Sequence, residues 1–304
     1  MILQLKDSSL ISADALKDSV PIKQAVIKDR NLGLFLWVKF RDGVFEGIRA
    51  YEGRIFKLEE HLARLEDSAK AILLKLPFSR KEIEKAVLET CQKNKMKSGY
   101  LRLVVTRGKG YLGLSPDRCK TPTMIIIASE LELYPEKYYR EGLKVVTGAT
   151  WRQSPAALDP GIKSLNYLNN ILAKIEGQLA GAQEVILLNP QGLVSECSGD
   201  NIFFIRHGVL VTPKLSSGAL NGITRATVLE IAREAGWEAR EDDVRRYDLF
   251  TCEEMFLTGT GAEIVPVVEV DGRLVGDGKP GKKTADLMKR YHKLVTSTGT
   301  KIPS

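Results

Sequence analysis

Apolar residues recur at helical spacing in the first third of the chain. Leu58, Leu62, Leu65, Ala69 and Ile72 fall on one face, and Pro77 marks where that helix is expected to stop. Ser79 followed three residues later by Glu82 is a capping-box start, and Ile83, Ala86, Val87 and Cys91 carry one apolar face of a second helix. Residues 99–107 and 122–128 are β-branched and bounded by Gly and Pro, so they read as strands. From 129 to 139 the chain turns polar, contains Pro135 and keeps no period, as expected of a connection between lobes. Beyond it the pattern predicts a strand at 143–149, then a helix with Leu165, Leu168, Ile171, Leu172, Ile175 and Leu179 on one side. A hairpin turned by Asn189, Pro190, Gln191 and Gly192 follows. Strands are expected at 201–205, 209–212, 254–257 and 264–270, a helix at 223–235, and a hairpin at Asp271-Gly272.

A chain of 304 residues exceeds what one hydrophobic core usually supports. The expected division is a small N-terminal α/β domain at 1–128, a linker at 129–139 and a larger C-terminal domain at 140–304. With 43% hydrophobic and 27% charged residues the composition is that of a globular protein and excludes disorder. No apolar run approaches the roughly 20 residues of a membrane span, and the first residues lack a basic start with an apolar core, so neither membrane insertion nor export is expected. Cys91, Cys119, Cys197 and Cys252 are scattered without a CxxC pair, which predicts no metal site and no disulfide scaffold, and a cytoplasmic setting. The net charge of +7 is spread among interleaved acids, so nucleic acid is not the expected partner.

Two motifs fail on context. The glycines at 108, 110 and 113 match a dinucleotide fingerprint after a strand, but Pro116 follows where a helix should open. Residues 276–283 nearly match a phosphate-cradling loop, yet Lys283 stands where a hydroxyl should be, and a turn into a last helix capped by Thr284 explains them equally. Three other places bear chemistry. Gly222, Ile223, Thr224 and Arg225 open a helix whose positive end suits an anion, and Thr258, Gly259, Thr260, Gly261 and Ala262 leave amides free after a strand. Lys163 lies near a helix start, where the dipole favours a neutral, nucleophilic amine. Read singly, each has an ordinary alternative: a helix-start threonine, a turn, a solvated lysine. Glu196, just after a hairpin turn, is by default an exposed acid.

Together these stretches resemble the fold-type IV family of pyridoxal-phosphate enzymes, and most closely its branched-chain amino-acid aminotransferases. The resemblance is carried by Asp42-Gly-Val-Phe-Glu-Gly-Ile-Arg-Ala-Tyr51, Glu60-His-Leu-Ala-Arg-Leu65, Tyr100-Leu-Arg102, Ile162-Lys-Ser-Leu-Asn-Tyr-Leu-Asn-Asn170, Ser195-Glu-Cys-Ser-Gly-Asp-Asn-Ile202, Leu220-Asn-Gly-Ile-Thr-Arg225 and Thr258-Gly-Thr-Gly-Ala-Glu-Ile264. It implies an α+β fold of two domains, the larger a β-rich pseudo-barrel with helices, and pyridoxal 5'-phosphate as cofactor. By resemblance, Lys163 forms the Schiff base and carries the proton between the substrate Cα and the cofactor C4′, and Glu196 keeps the pyridine nitrogen protonated. Tyr167 meets the ring O3′, Leu220 packs on the ring, and Arg64, the Ile223 amide, Thr224 and Thr260 hold the phosphate.

The substrate pocket is expected around Phe45, Gly47, Tyr100, Arg102, Gly261 and Ala262, with Arg102 receiving the second carboxylate of glutamate or 2-oxoglutarate. The implied reaction moves the amino group of L-branched-chain amino acids to 2-oxoglutarate, in a homodimer or larger homo-oligomer with amino acids and 2-oxo acids as its small-molecule partners. Phe40 and Arg41 stand where the family usually has tyrosine and glycine, and Tyr111 where it has an acid, departures that bear on substrate contacts. D-amino-acid aminotransferases, aminodeoxychorismate lyases and non-catalytic members are the alternatives within the same fold. D-specific enzymes typically use an Arg-x-His pair, and this chain has no histidine between His61 and His207.

Overall fold

A computed structural model describes residues 42–108, 110, 114–130 and 133–303, together with the backbone of two short strands, β1 (Leu3–Gln4) and β2 (Ala25–Ile27). Phe40, Arg41, Tyr111 and most of the glycine-rich loop 108–113 lie outside the described residues. The chain divides into two units, Met1–Leu131 with Gly299–Ser304, and Glu132–Thr298.

In the first unit, strand β3 (Gly43–Tyr51) turns into β4 (Arg54–Ile55), then helices α1 (Leu58–Ala71) and α2 (Arg80–Lys93) precede β5 (Gly99–Thr106) and β6 (Thr123–Ser129). β3 and β5 pair antiparallel without a bulge from Gly43↔Thr106 to Ala50↔Gly99, so their side chains alternate strictly between faces. Val44, Ile48, Ala50, Leu101, Leu103 and Val105 form one face, and Leu58, Leu62, Leu65 and Ala69 of α1 with Ile83, Val87 and Cys91 of α2 pack into the same core. The Ser79–Glu82 capping box opens α2 as expected.

Pro77, however, is not what stops α1. The helix ends at Ala71 in a Schellman turn, with Leu74 N–H donating to Ala69 O (2.8 Å), Leu73 N–H to Lys70 O (3.1 Å), and Leu73 itself left-handed at φ 52°. The Arg107 guanidinium finishes the cap by donating to the carbonyls of Ile72 (2.7 Å) and Leu73 (3.0 Å) while paired with Asp42.

The second unit contains α3 (Glu136–Glu141), β7 (Leu143–Thr147), α4 (Leu168–Leu179), β8 (Glu184–Leu188), β9 (Val194–Cys197), β10 (Asn201–Arg206), β11 (Val209–Pro213), α5 (Ile223–Glu234), β12 (Ala239–Asp242), α6 (Arg246–Phe250), β13 (Glu254–Gly259), β14 (Glu263–Val270), β15 (Arg273–Leu274) and α7 (Lys282–Ser297). The sheet runs β12-β11-β10-β13-β14-β7-β8-β9, with β15 on β14. It curls on itself: Val194 at the β9 edge donates to Val244 O (2.7 Å) and Leu193 bridges Arg245, in the segment just past the opposite edge strand. The enclosed core includes Leu143, Val145, Ile186, Cys197, Ile202, Phe204, Leu257 and Val265.

The chain ends in β16 (Thr300–Lys301), which pairs antiparallel with β4 and makes the first unit's sheet β1-β2-β6-β5-β3-β4-β16. The last residues therefore belong to the first unit, not to a C-terminal domain running to 304. The stretch 129–139 also differs from a plain linker. Ser129 closes β6, Pro135 is the N-cap of α3, and Tyr134 is buried, so proline and aromatic residues here start and anchor a helix.

The structure settles one orientation that the pattern leaves open and changes one further expectation. α4 buries its small side, Asn170, Ala173 and Gly177, against β8, where a Cβ on Gly177 would lie 2.3 Å from Val185 Cγ2. The leucine and isoleucine side of α4 faces outward. Thr284 does not cap α7. Gly281 is the N-cap, and the Glu254 carboxylate accepts from the amides of Lys283 (3.1 Å) and Thr284 (2.8 Å) and from the Thr284 hydroxyl (2.8 Å). An acid already satisfies that helix start, which disfavours an anion there. Among the described residues no helix is long and apolar enough to cross a membrane.

Candidate functional site

The β8–β9 hairpin delivers Glu196 to the interior. Asn189 Oδ1 accepts from the amides of Gln191 and Leu193 (both 3.0 Å) and fixes the turn, and every residue of β9 is buried. Glu196 is 6% exposed, so the surface acid suggested by its place after a turn is instead a buried one. Its Oε2 accepts from Asn201 Nδ2 (3.0 Å) and the Leu220 amide (2.9 Å), and its Oε1 pairs with Arg152. Burial pushes its pKa above the ordinary value, opposed by Arg152, by the Leu220 amide and by the charge of Lys163.

A tight corner follows, closed by Cys197 N–H to Asp200 O (2.8 Å), and two other segments crowd against it. Asn201 donates to Leu220 O (3.0 Å), tying the approach to α5 to this corner. A Cβ on Gly222 would sit 2.0 Å from Asn201 Oδ1, and one on Gly259 would sit 2.4 Å from Asp200 Oδ1, so both glycines permit close backbone approach. Asn201 pairs with Thr258, which sets the Thr260-Gly261-Ala262 turn between β13 and β14 beside the corner. Ala262 O accepts from Tyr139 Oη (3.0 Å). The structure thus brings Glu196, Leu220, the start of α5 and the 258–262 turn together.

Lys163 departs from its expected place in one respect. α4 begins at Leu168 with Tyr167 as N-cap, so Lys163 lies five residues ahead of the helix, beyond the reach of its dipole. Ser164, Leu165 and Asn166 stay outside the helix, with the Asn166 amide turned to Ser164 Oγ (3.3 Å). Lys163 Nζ lies 3.4 Å from Tyr167 Oη.

In the first unit the strict alternation of β3 and β5 gathers Phe45, Gly47, Tyr100 and Arg102 on the face away from α1 and α2. The Arg102 guanidinium lies 4.2 Å from the centre of the Phe45 ring. Arg64 is not on that face. It projects from α1 to Glu46, donating through Nε (2.8 Å) and Nη2 (2.7 Å), while His61 Nδ1 lies 2.7 Å from the same carboxylate. Burial opposes the Glu46 charge, yet Arg64 and His61 outweigh it and hold the pKa down at about 2.

Sequence reasoning missed Glu46, His61, Asn201 and Arg152. The first three lie inside the family stretches, where their partners were unknown; Arg152 lies outside all of them and carried no signal. Among the described residues no group of three or more His, Cys, Asp and Glu side chains is placed to hold a metal ion.

The residues present suit a phosphorylated heteroaromatic group. α5 starts without a side-chain cap and without an acid in its first turn, leaving its leading amides for an anion. Ser195 Oγ, Ser217 Oγ and Thr258 Oγ1 are buried without hydrogen-bond partners among the described residues, all in the segments that meet at this corner.

The profile of a protein family described as amino-transferase class IV matches residues 43–270. A putative branched-chain-amino-acid aminotransferase of Methanocaldococcus jannaschii is 44% identical over 263 residues, covering 86% of this chain and 90% of the relative. The crystal structure of the Escherichia coli branched-chain amino acid aminotransferase matches with a TM-score of 0.82 and 34% identity, over 84% of this chain and 86% of that one. A T.th. branched-chain amino acid aminotransferase with pyridoxamine 5'-phosphate matches at 0.80 and 37% identity, over 84% and 85%. The same T.th. enzyme complexed with N-(5'-phosphopyridoxyl)-L-glutamate matches at 0.79 and 36%, over 84% and 85%.

Proposed function

The chain belongs to the class IV amino-transferase family and is a fold-type IV transaminase similar to branched-chain aminotransferases, and from that premise we propose its substrates and chemistry. It moves the amino group of leucine, isoleucine and valine, in their L forms, to 2-oxoglutarate, with pyridoxal 5'-phosphate joined to Lys163.

The observation that carries this reading is the buried Glu196. A carboxylate offers about four acceptor positions. Arg152, Asn201 and Leu220 fill three of them, which leaves one, on Oε1, in a site that also feels the Lys163 charge. That position suits the N–H of a pyridinium ring. Bound pyridoxal phosphate supplies the electron sink for the pair left when the substrate Cα loses its proton. With the cofactor bound, Glu196 would hold the proton on the ring nitrogen, and Lys163, once substrate has displaced its amine, would carry the proton away from Cα. Tyr167, whose hydroxyl lies beside Lys163, would donate to the ring oxygen O3′, and Leu220, fixed by Asn201 and Glu196, would pack on the ring.

In this reading the amides of Ile223 and Thr224 at the start of α5, with Thr260 and Arg64, bind the phosphate. Phe45, Gly47, Tyr100, Gly261 and Ala262 receive the side chain, and Arg102 the second carboxylate of glutamate. The phosphopyridoxyl-glutamate held by the T.th. enzyme supports that pairing of cofactor and amino donor.

A homodimer or larger homo-oligomer fits the outward face of α4. Leu168, Ile171, Leu172, Ile175 and Leu179 are each at least 45% exposed there, as a row too apolar for solvent. The four cysteines are free, in keeping with a reducing, cytoplasmic setting.

Borohydride reduction of the cofactor-loaded protein followed by peptide mapping is expected to label Lys163. Transamination with 2-oxoglutarate is expected with L-leucine, L-isoleucine and L-valine. Label on another lysine overturns the attachment site, and preference for D-alanine or aminodeoxychorismate overturns the substrate assignment.

A further inference from the structure

Arg152 is a cation buried to 6% exposure, outside every stretch that carries the family resemblance. Each edge of its guanidinium is used. Nε donates to Gly218 O (3.0 Å), Nη1 to Asn170 Oδ1 (3.2 Å), and Nη2 to Glu196 Oε1, while its backbone amide donates to Leu188 O (2.8 Å). Asn170 turns its own amide to Ser198 O (2.7 Å), two residues past Glu196. Asn170 stands in the first turn of α4, three residues after Tyr167 and seven after Lys163. Arg152 is therefore the hinge pin between the segment that bears the amine and the strand that bears the carboxylate.

We propose that Arg152 is a positioning residue: it keeps Glu196 ionised and rotated so that the free acceptor position on Oε1 faces the cofactor's ring nitrogen. The proposal rests on the reading of Glu196 given above and deepens it. Its physical basis is a balance. Among the groups that oppose the burial of the Glu196 charge, Arg152 is foremost: it pairs directly with the carboxylate, Asn201 and the Leu220 amide are neutral donors, and Lys163 and Arg225 contribute through their charge. Without a cation on Oε1 less would oppose burial and the Glu196 pKa would rise further, and a protonated acid has no charge with which to hold a second proton on the ring. Lysine at 152 would supply charge without the planar fork that spans Gly218, Asn170 and Glu196 at once.

The test uses the cofactor-loaded protein and pyridoxal phosphate labelled with 15N in the ring. Arg152→Gln is expected to move the ring nitrogen shift toward the unprotonated form and to weaken cofactor binding about 10- to 100-fold, by analogy with the outer partners of metal ligands. It should lower kcat by a similar factor with little change in KM. Arg152→Lys is expected to restore most of the nitrogen shift and less of kcat, and it serves as the second variant if Arg152→Gln folds poorly. In a Glu196→Gln background, Arg152→Gln should leave the nitrogen shift where Glu196→Gln alone has put it. A normal nitrogen shift and cofactor affinity in folded Arg152→Gln, or in Arg152→Lys with its kcat also intact, overturns the proposal for Arg152 alone. A normal nitrogen shift in Glu196→Gln overturns the reading of Glu196 itself.

Discussion

The Tyr100 ring lies across Gly47, so that a Cβ at position 47 would fall 2.0 Å from the tyrosine hydroxyl oxygen and 2.8 Å from Cζ. Both residues belong to the face proposed for substrate, and the glycine exists to let the ring lie flat there. Gly47→Ala is therefore expected to displace the ring, costing about 1–3 kcal/mol of stability and reducing kcat/KM. Adding Tyr100→Ala removes the obstacle, so in that background the alanine at 47 should cost almost nothing. Urea unfolding of the two single variants and the double variant measures the coupling. Additive losses would mean that the ring does not occupy this space.

Leu73 holds the left-handed position that ends α1, at φ 52° and 85% exposed. A side chain there pays a steric cost and gains no burial. Leu73→Gly is expected to raise stability by about 0.5–1 kcal/mol despite the added freedom of the unfolded chain. A higher thermal midpoint with unchanged activity is the expected readout, and a lower one would show that the leucine is held by more than its backbone.

Most of the secondary structure was legible because period and punctuation agree. The spacing of Leu58 to Ala69, the Ser79–Glu82 box and the Asn189–Gly192 turn all appear where the pattern puts them. What the pattern does not encode is which way an apolar stripe faces. α4 shows its leucines and isoleucines outward because Gly177 and Ala173 fit tightly against β8, a preference invisible to periodicity. The end of α1 was misassigned to Pro77 because a Schellman turn built on leucine has no glycine to announce it. The burial of Glu196 and its Arg152 partner depend on contacts far apart in sequence, and a single arginine among many carries no local mark. Phe45, Gly47, Tyr100 and Arg102 were singled out through resemblance alone, but the reason for Gly47 emerged only from the position of Tyr100.

Asp200 and Glu184 share one tyrosine. Tyr134 Oη lies 2.9 Å from Asp200 Oδ2 and 3.1 Å from Glu184 Oε2, and a hydroxyl has a single proton. One carboxyl must therefore donate to the tyrosine oxygen. Burial first, then Glu184, raises Asp200 to about 7, against the weaker pull of Tyr134 and Lys174, with Glu196 adding to the rise. The buried Cys197 thiol also neighbours the group. The native state thus binds more protons than the unfolded one between about pH 4 and 7, and stability should fall as pH rises through that window. Asp200→Asn keeps a neutral partner for Tyr134 and should remove this part of the slope, leaving the variant more stable than the parent at pH 8 by on the order of a few kcal/mol. Urea unfolding at several pH values checks it, and parallel pH profiles for parent and variant would count against a proton on Asp200.

Glu46 presents the opposite sign. Its carboxylate is fully buried between Arg64 and His61, and the pKa of about 2 places the native state's preference firmly with the charged form. Its contribution is present above the ordinary carboxylate value of 4.5 and is lost as pH falls through about 2. Glu46→Gln leaves the Arg64 guanidinium facing a neutral amide, and breaking such a buried pair from one side costs about 3–5 kcal/mol. The deficit relative to the parent should stay constant from neutral pH to about 4.5 and then shrink toward 2, because the parent's acid is itself being protonated. Arg64, proposed above as a phosphate ligand, loses its anchor in the same change, so on that proposal the affinity for pyridoxal phosphate should fall while that for unphosphorylated pyridoxal changes little. A pH-independent deficit would refute the electrostatic account of this triad. Equal losses for the two forms of the cofactor would separate Arg64 from phosphate binding.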